Sequence, residues 1–170
     1  LSGAKVTLVS GPTNLQPPFK SKLIKVTTAK EMLKAVIDNS KVDLVILAAA
    51  VSDASPNKAF IKKIKKENLK NITLKKNKDI LYKISTLKKN RPKIVIGFAA
   101  ETNNHIINAR KKLLEKKCDA IIVNKISKNN QVFNSEMNKV SFISEKLTLH
   151  FQKTSKINVA KKMMELINKL

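Results

Sequence analysis

Asp43-Leu-Val-Ile-Leu47 is an apolar run that leads directly into the small residues of Ala48-Ala-Ala-Val-Ser-Asp53. A continuous run of Val, Ile and Leu predicts a strand that is buried on both faces of a parallel sheet. Ligands of such sheets bind just beyond the carboxyl ends of the strands. The three alanines leave the backbone accessible there, and the Asp53 carboxylate can take a ribose hydroxyl or a metal. This stretch therefore predicts a nucleotide site.

A lysine cluster, Lys63-Ile-Lys-Lys66, follows this strand end. Its ammonium groups can neutralise phosphate, which would complete a site for a nucleotide. In a chain with 35 lysines and arginines, however, the cluster can also be one more solvated run of surface charge. The residues alone leave both interpretations open.

Strands and helices alternate along the chain. Lys93-Ile-Val-Ile-Gly-Phe98 is another buried strand that ends in small residues and a carboxylate, and residues 139–143 and 146–151 alternate as a β-hairpin does. This order predicts an α/β fold: a three-layer α/β/α, Rossmann-like, mainly parallel sheet with an antiparallel hairpin at the edge. Further strands are predicted at 5–9, 23–26, 72–74 and 120–124, and helices from the capping box Thr28-Ala-Lys-Glu31, over 77–90 and 104–117, and from Ile157 to Ile167.

Length and composition indicate one domain in a reducing compartment. At 170 residues and 42% hydrophobic, the chain can form one well-packed core. Its single cysteine cannot form an internal disulfide, which fits the cytosol. No apolar run approaches the roughly 18 residues of a membrane span. We therefore expect a cytoplasmic protein with no membrane partner.

The formal charge of +23 raises the alternative of a basic α/β module that binds nucleic acid. Only Arg91 and Arg110 are arginines, however, whereas readers of bases and phosphates depend on the bidentate guanidinium group. The lysines are spread over almost every element, without a stripe of aromatic residues beside them. The composition favours a solvated lysine-rich surface and no specific nucleic acid as partner.

The sequence lacks several common motifs of binding and catalytic sites. Because the chain has only three glycines, it lacks both the GxGxxG dinucleotide turn and the phosphate loop of Walker type, which counts against a nucleotide-binding oxidoreductase. His105, His150 and Cys118 show no metal-ligand spacing, and the metal ligands stay unassigned. Cys118, at a helix end before a strand, is interpreted as a small core residue rather than a catalytic thiol.

Five blocks in order point to a family: residues 48–53, Lys63-Ile-Lys-Lys66, Asn77-Lys-Asp-Ile80, residues 97–103 and Phe133-Asn-Ser135. Together they resemble the bacterial phosphopantothenate-cysteine ligases, over essentially the whole chain. Such a ligase is usually the C-terminal half of a bifunctional coenzyme A biosynthesis protein. The family's usual Asn-Pro-Asp-Ile has lysine in place of proline here, which removes a rigid turn and adds a cation.

The resemblance implies a CTP-dependent ligation of cysteine to 4'-phosphopantothenate through an acyl-cytidylate. Mg²⁺ and lysines would hold the triphosphate, and the Lys63 ammonium would stabilise the oxyanion of the acyl intermediate. Lys112 and Lys116 share a helix face at i, i+4 spacing, where a solvated pair is the alternative. The implied CTP contacts are Ala48, Ala49, Ala50, Asp53, Lys63, Lys78, Asp79, Ile80, Leu81, Phe98, Lys112 and Lys116, with Asn124 as a weaker substrate contact.

The resemblance also carries expectations about the parent protein. The chain opens with Leu1-Ser-Gly-Ala4, so we expect one ligase domain over residues 1–170 that lacks its first βα unit and is a poor ligase alone. A decarboxylase with FMN is expected upstream, and it would convert the product to 4'-phosphopantetheine. Family members form homodimers, and the edge hairpin over residues 139–151 is a plausible interface.

Overall fold

The computed structural model describes residues 3–58, 71–126 and 135–170. The chain divides into two compact units, residues 1–39 with 49–80 and residues 40–48 with 81–170. Each unit is described by itself. The expectation of a single ligase domain without its first βα unit stays a prediction.

The first unit contains two small sheets and a helix. Strands β1 (Thr7–Ser10) and β2 (Lys22–Lys25) pair in parallel, and helix α1 (Ala29–Asp38) follows them. The predicted capping box begins this helix: Thr28 Oγ1 accepts from the Glu31 backbone N–H at 3.1 Å, and the Glu31 carboxylate accepts from the Thr28 N–H at 3.3 Å. Strands β4 (Ala54–Pro56) and β5 (Leu74–Lys76) pair antiparallel.

The second unit is built on a five-stranded sheet of β3 (Leu44–Leu47), β6 (Ile94–Glu101), β7 (Ala120–Lys125), β9 (Val140–Ser144) and β10 (Thr148–His150). The strand order is β10-β9-β7-β6-β3. Strands β3, β6 and β7 are mutually parallel, while β9 and β10 form an antiparallel hairpin at one edge. The predicted α/β fold, with a parallel-dominated sheet and an edge hairpin, is confirmed. The short strands β8 (Met137–Asn138) and β11 (Thr154–Ser155) form a separate antiparallel pair in this unit.

Helices cover both faces of this sheet. Val159, Met163 and Ile167 of α4 (Lys156–Ile167) pack against Ile122 and Phe142 in one core cluster. Successive strand residues point to opposite faces, so the fully buried odd-numbered residues of β7 face away from α4. Helix α3 (His105–Lys116), which contacts β6, β7 and β9, covers that second face. The result is the predicted three-layer arrangement.

Helix α2 (Ile80–Ser85) is shorter than the sequence predicts, and the predicted continuation to Asn90 is wrong. The cause is Arg91, whose Nε donates to the Ser85 carbonyl at 2.9 Å. That carbonyl would otherwise accept from an N–H in the next turn of the helix. A side chain beyond the predicted helix therefore ends it.

Strand β3 is half-buried rather than buried on both faces, and Ile46 is 44% exposed. Within the described residues β3 pairs with β6 alone, which places it at the end of the sheet. The predicted complete burial of this strand is wrong. Strand β5 begins at Leu74, two residues after its predicted start at Ile72.

Gly97 is a sharp test of the packing between β6 and its neighbours. A Cβ at this position would lie 2.5 Å from Leu81 Cδ2 and 2.8 Å from Ile121 Cδ1. We expect Gly97→Ala to lower the free energy of unfolding by about 1–3 kcal/mol, because buried side chains must shift to admit a methyl group. Urea unfolding followed by circular dichroism measures the change.

Gly11→Ala is the matched control for this substitution. The nearest atom to a Cβ at Gly11 is Met32 Cε at 4.0 Å, so the added methyl group meets ordinary van der Waals contact. Equal unfolding free energies for the two variants would contradict the close packing at Gly97.

Candidate functional site

The small-residue corner after β3 is open to solvent. Ala48, Ala49 and Ala50 are all exposed, as is Asp53. A tight turn follows, in which the Val51 N–H donates to the Ala49 carbonyl at 3.1 Å. The accessible backbone that the sequence predicts at this corner is therefore present.

Asn77 ties this corner to the Asn77-Lys-Asp-Ile80 block within the first unit. Its Nδ2 donates to the Ser52 carbonyl at 2.9 Å, and its Oδ1 accepts from Ser55 Oγ at 2.9 Å. Its backbone N–H donates to the Asp53 carbonyl at 2.8 Å. Two segments that the sequence assigns to CTP are thus held together, with the predicted contacts Lys78 and Asp79 directly after Asn77.

The sequence does not predict that the Asn77 side chain links two separate segments of the first unit. The sequence treats it as the first letter of a nucleotide motif and as the opening of a helix. Its side chain joins residues that lie 22 and 25 positions earlier, and no local pattern reports such a link. Its place as the first residue of the Asn77-Lys-Asp-Ile80 block could have suggested such a role, since asparagine side chains readily form hydrogen bonds with backbone groups in turns.

The second unit holds the remaining described candidates on β6, on β7 and on the helices beside them. Lys112 Nζ lies 3.4 Å from the carbonyl of Phe98, so this ammonium group lies beside the middle of β6. Lys116 lies one turn further along α3, and Leu81 packs where a side chain at Gly97 would go. Asn124 lies near the end of β7 and is 8% exposed.

A group of cationic and imidazole side chains gathers at the same end of this sheet. Burial lowers the pKa of His105 below its ordinary value, and the positive charges of Lys125, His150 and Lys139 lower it further. His150 Nδ1 lies 2.8 Å from Ser141 Oγ. The neutral imidazole of His105 is therefore favoured at neutral pH. The arrangement gives this end of the unit a positive potential that suits anionic ligands.

The predicted contact residues are divided between the two units. Ala49, Ala50, Asp53 and residues 78–80 belong to the first unit, whereas Ala48, Leu81, Phe98, Lys112, Lys116 and Asn124 belong to the second. Lys63, its lysine cluster, and Phe133 and Asn134 lie outside the described residues. A surface cavity of about 270 Å³ is lined by Lys41, Val42, Asp43, Asn90, Arg91 and Lys93, at the amino ends of β3 and β6. None of the predicted contacts lines it.

No group of three or more His, Cys, Asp or Glu side chains stands close enough to hold a metal ion within residues 3–58, 71–126 and 135–170. The metal ligands that the sequence left unassigned stay so. In the same part of the chain, no helix is long and apolar enough to cross a membrane.

Comparison with known proteins places the chain in a family. The family described as "DNA/pantothenate metabolism flavoprotein C-terminal domain" matches residues 1–170. The chain belongs to this family. The resemblance that the five sequence blocks carry is confirmed by this match.

Named relatives of this family agree in sequence and in fold. The "Coenzyme A biosynthesis bifunctional protein CoaBC" of Borreliella burgdorferi is 37% identical over 97% of this chain and 42% of its own length. The chain thus spans about two fifths of that relative. The crystal structure of the C-terminal domain of a CoaBC protein is 34% identical, with a TM-score of 0.78, over 97% of this chain and 74% of that chain.

A more distant structure shares the fold alone. A Cab2 mutant in complex with phosphopantothenate-cysteine is 19% identical to this chain, with a TM-score of 0.56. The likeness covers 78% of this chain and 47% of that one.

Cys118 provides a direct test of the second unit's core. It is 8% exposed, and burial raises the pKa of its thiol to about 11. The nucleophilic form of cysteine is the thiolate, so a protonated and buried thiol reacts slowly. We expect iodoacetamide at pH 8 to label the folded chain at least about a hundredfold more slowly than the chain in denaturant. Mass spectrometry measures both rates, and rapid labelling of the folded chain would contradict this placement.

Asn77→Ala tests the link between the corner and its partner segment. The substitution removes two side-chain hydrogen bonds, so we expect the free energy of unfolding to fall by about 1–2 kcal/mol. The exchange of the Asn77 backbone N–H, which donates to Asp53, should become faster. Hydrogen exchange followed by NMR measures it. Asn57→Ala is the control, because Asn57 is exposed and its hydrogen bond to Thr73 uses the backbone.

Proposed function

We propose that this chain forms the site of a CTP-dependent ligase that joins cysteine to 4'-phosphopantothenate in coenzyme A biosynthesis. The observation that carries the proposal is the 37% identity to a coenzyme A biosynthesis bifunctional protein along 97% of the chain. The 34% identity to the C-terminal domain of a CoaBC protein, over 97% of this chain, supports the same assignment. The exposed corner that Asn77 holds beside the Asn77-Lys-Asp-Ile80 block supports a nucleotide contact in the first unit.

The proposed ligation has two steps. The carboxylate of 4'-phosphopantothenate attacks the α-phosphorus of CTP, so an acyl–phosphate bond forms and pyrophosphate leaves. The neutral amine of cysteine then attacks the acyl carbon and an amide bond forms. CMP leaves with the electron pair of the broken bond, and the proton lost by the amine passes to solvent. Both steps place anionic groups close together, so cations are required.

We assign the roles as the family resemblance implies. The backbone of Ala48, Ala49 and Ala50 and the Asp53 carboxylate contact CTP, and the Lys63 ammonium stabilises the oxyanion of the acyl intermediate. We assign Lys112 to the phosphates of CTP. Its ammonium group lies at the Phe98 carbonyl and has two further N–H donors that phosphate oxygens can accept. The remaining proposed CTP contacts are Lys78, Asp79, Ile80, Leu81, Phe98 and Lys116.

Mg²⁺ enters this reaction as part of the nucleotide substrate, bound to the triphosphate oxygens. We assign it no protein ligands. The relatives' description as bifunctional supports a companion decarboxylase, and FMN would belong to that part of the protein. We further propose a cytoplasmic location, which the single buried cysteine supports. We also propose a homodimer through β9 and β10, because the unpaired backbone groups of an edge strand can pair with a second chain.

Calorimetric titration of the 170-residue chain tests this proposal. We expect MgCTP to bind at physiological salt more tightly than MgATP, and Lys63→Ala to weaken MgCTP roughly tenfold or more through loss of a charge-assisted contact. Lys161→Ala, an exposed substitution on α4, is the control for the lost charge. Equal affinity for both nucleotides would contradict the proposal. So would tight binding of a random DNA duplex that collapses with salt while CTP does not bind.

A further inference from the structure

Two buried asparagines form a hydrogen-bonded pair near the carboxyl end of β7. Asn124 is 8% exposed and Asn138 is 7% exposed. Asn138 Nδ2 donates to Asn124 Oδ1 at 2.9 Å. Asn138 Oδ1 in turn accepts from the Lys139 backbone N–H at 2.9 Å.

The Lys139 N–H fixes the orientation of both amides. A backbone N–H can only donate, so it requires the oxygen of Asn138 on its side. Asn138 must therefore direct its NH₂ group toward Asn124, and the Asn124 oxygen accepts that hydrogen bond. The consequence is that the Asn124 oxygen is directed toward Asn138, and the Asn124 NH₂ group is the part of the amide left to face a further partner.

Those donors are available. Within the described residues the Asn124 side chain makes no hydrogen bond other than the one it accepts from Asn138. The only fully enclosed side-chain polar atom without a partner in this part of the chain is Ser85 Oγ. The Asn124 Nδ2 is thus not fully enclosed, although the residue as a whole is more than nine-tenths buried.

The sheet places this donor next to a proposed CTP contact. Ile122 and Phe98 both belong to the face that packs with α4, so Asn124 and Ala100, each two residues further, lie on the same face. Asn124 and Ala100 are register partners on adjacent strands, which lie about 4.8 Å apart. The donor thus stands beside Phe98 and Ala100 at the end of the sheet where ligands bind.

We propose that Asn124 donates an amide N–H to an acceptor atom of the bound substrate, and that Asn138 is the positioning residue that holds its oxygen away from the ligand. This inference rests on the proposed function and specifies one contact of that site. The acceptor is a carbonyl, carboxylate or ring nitrogen, which either the cytosine of CTP or the acyl group of 4'-phosphopantothenate can supply.

Asn138→Asp tests the positioning role. The introduced carboxylate can still accept from the Lys139 N–H but cannot donate, so Asn124 must turn its amide over and donate to that carboxylate instead. The Asn124 oxygen then faces the ligand, and we expect affinity for the ligand that it contacts to fall about tenfold or more. Exchange of the Asn124 NH₂ protons in the unliganded chain should slow, because they become engaged. A merely structural role would not slow that exchange.

Side-chain amide NMR of the ¹⁵N-labelled chain separates the possible ligands. MgCTP and 4'-phosphopantothenate are titrated in separate arms, and the arm that shifts the Asn124 NH₂ resonances identifies the source of the acceptor. Asn158→Asp, an exposed substitution on α4, controls for the added charge and should leave both affinities unchanged.

The outcomes distinguish this inference from the proposed function. Shifts elsewhere in the spectrum, without a shift at Asn124, would overturn the inference and leave the ligase proposal standing. An absence of any shift with either ligand would overturn both. Unchanged affinity and exchange in Asn138→Asp would remove Asn138 from its positioning role.

Discussion

Asp119 connects the beginnings of the two central strands of the second unit, and the rest of that unit depends on this connection. Its backbone N–H donates to the Val95 carbonyl at 2.9 Å, and its carboxylate accepts from the Val95 N–H at 2.6 Å. The same carboxylate accepts from Arg91 Nη2 at 2.9 Å. The parallel register of β6 and β7 is thereby fixed at its start. A slip of one residue would move every side chain to the opposite face of the sheet.

The consequences of that register reach the far end of the strands. Because the side-chain period is two, Phe98, Ala100 and Asn124 arrive on one face at the carboxyl edge. Arg91 adds a second consequence, since the guanidinium group that meets Asp119 also takes the Ser85 carbonyl and ends α2. The Arg91–Asp119 ion pair, whose side chains are 30% and 34% exposed, thus matters mainly through the geometry that it imposes, since ion pairs in contact with solvent contribute little energy by themselves.

Neutral amides rather than charges organise the candidate sites of this highly basic chain. Asn77 joins two backbone segments in the first unit, and Asn138 orients Asn124 in the second. An asparagine side chain both donates and accepts, so it can hold two partners in a defined direction, whereas an ammonium group can only donate. The +23 charge supplies a favourable field for anions, and the amides determine where particular atoms of a ligand can bind.

The sequence by itself determined the features that depend on neighbouring residues. The capping box at Thr28, the span of α3, the β9–β10 hairpin and the order of strands and helices follow from local periodicity and turn chemistry. The family followed from five ordered blocks. Only the tertiary structure decided the early end of α2, the half-exposed position of β3, and the two asparagine links. The asparagine links join positions 14 to 25 residues apart, and the Arg91 that meets the end of α2 also pairs with Asp119 across 28 residues. The exposure of β3 follows from its place at the end of the sheet, and no local pattern encodes any of these.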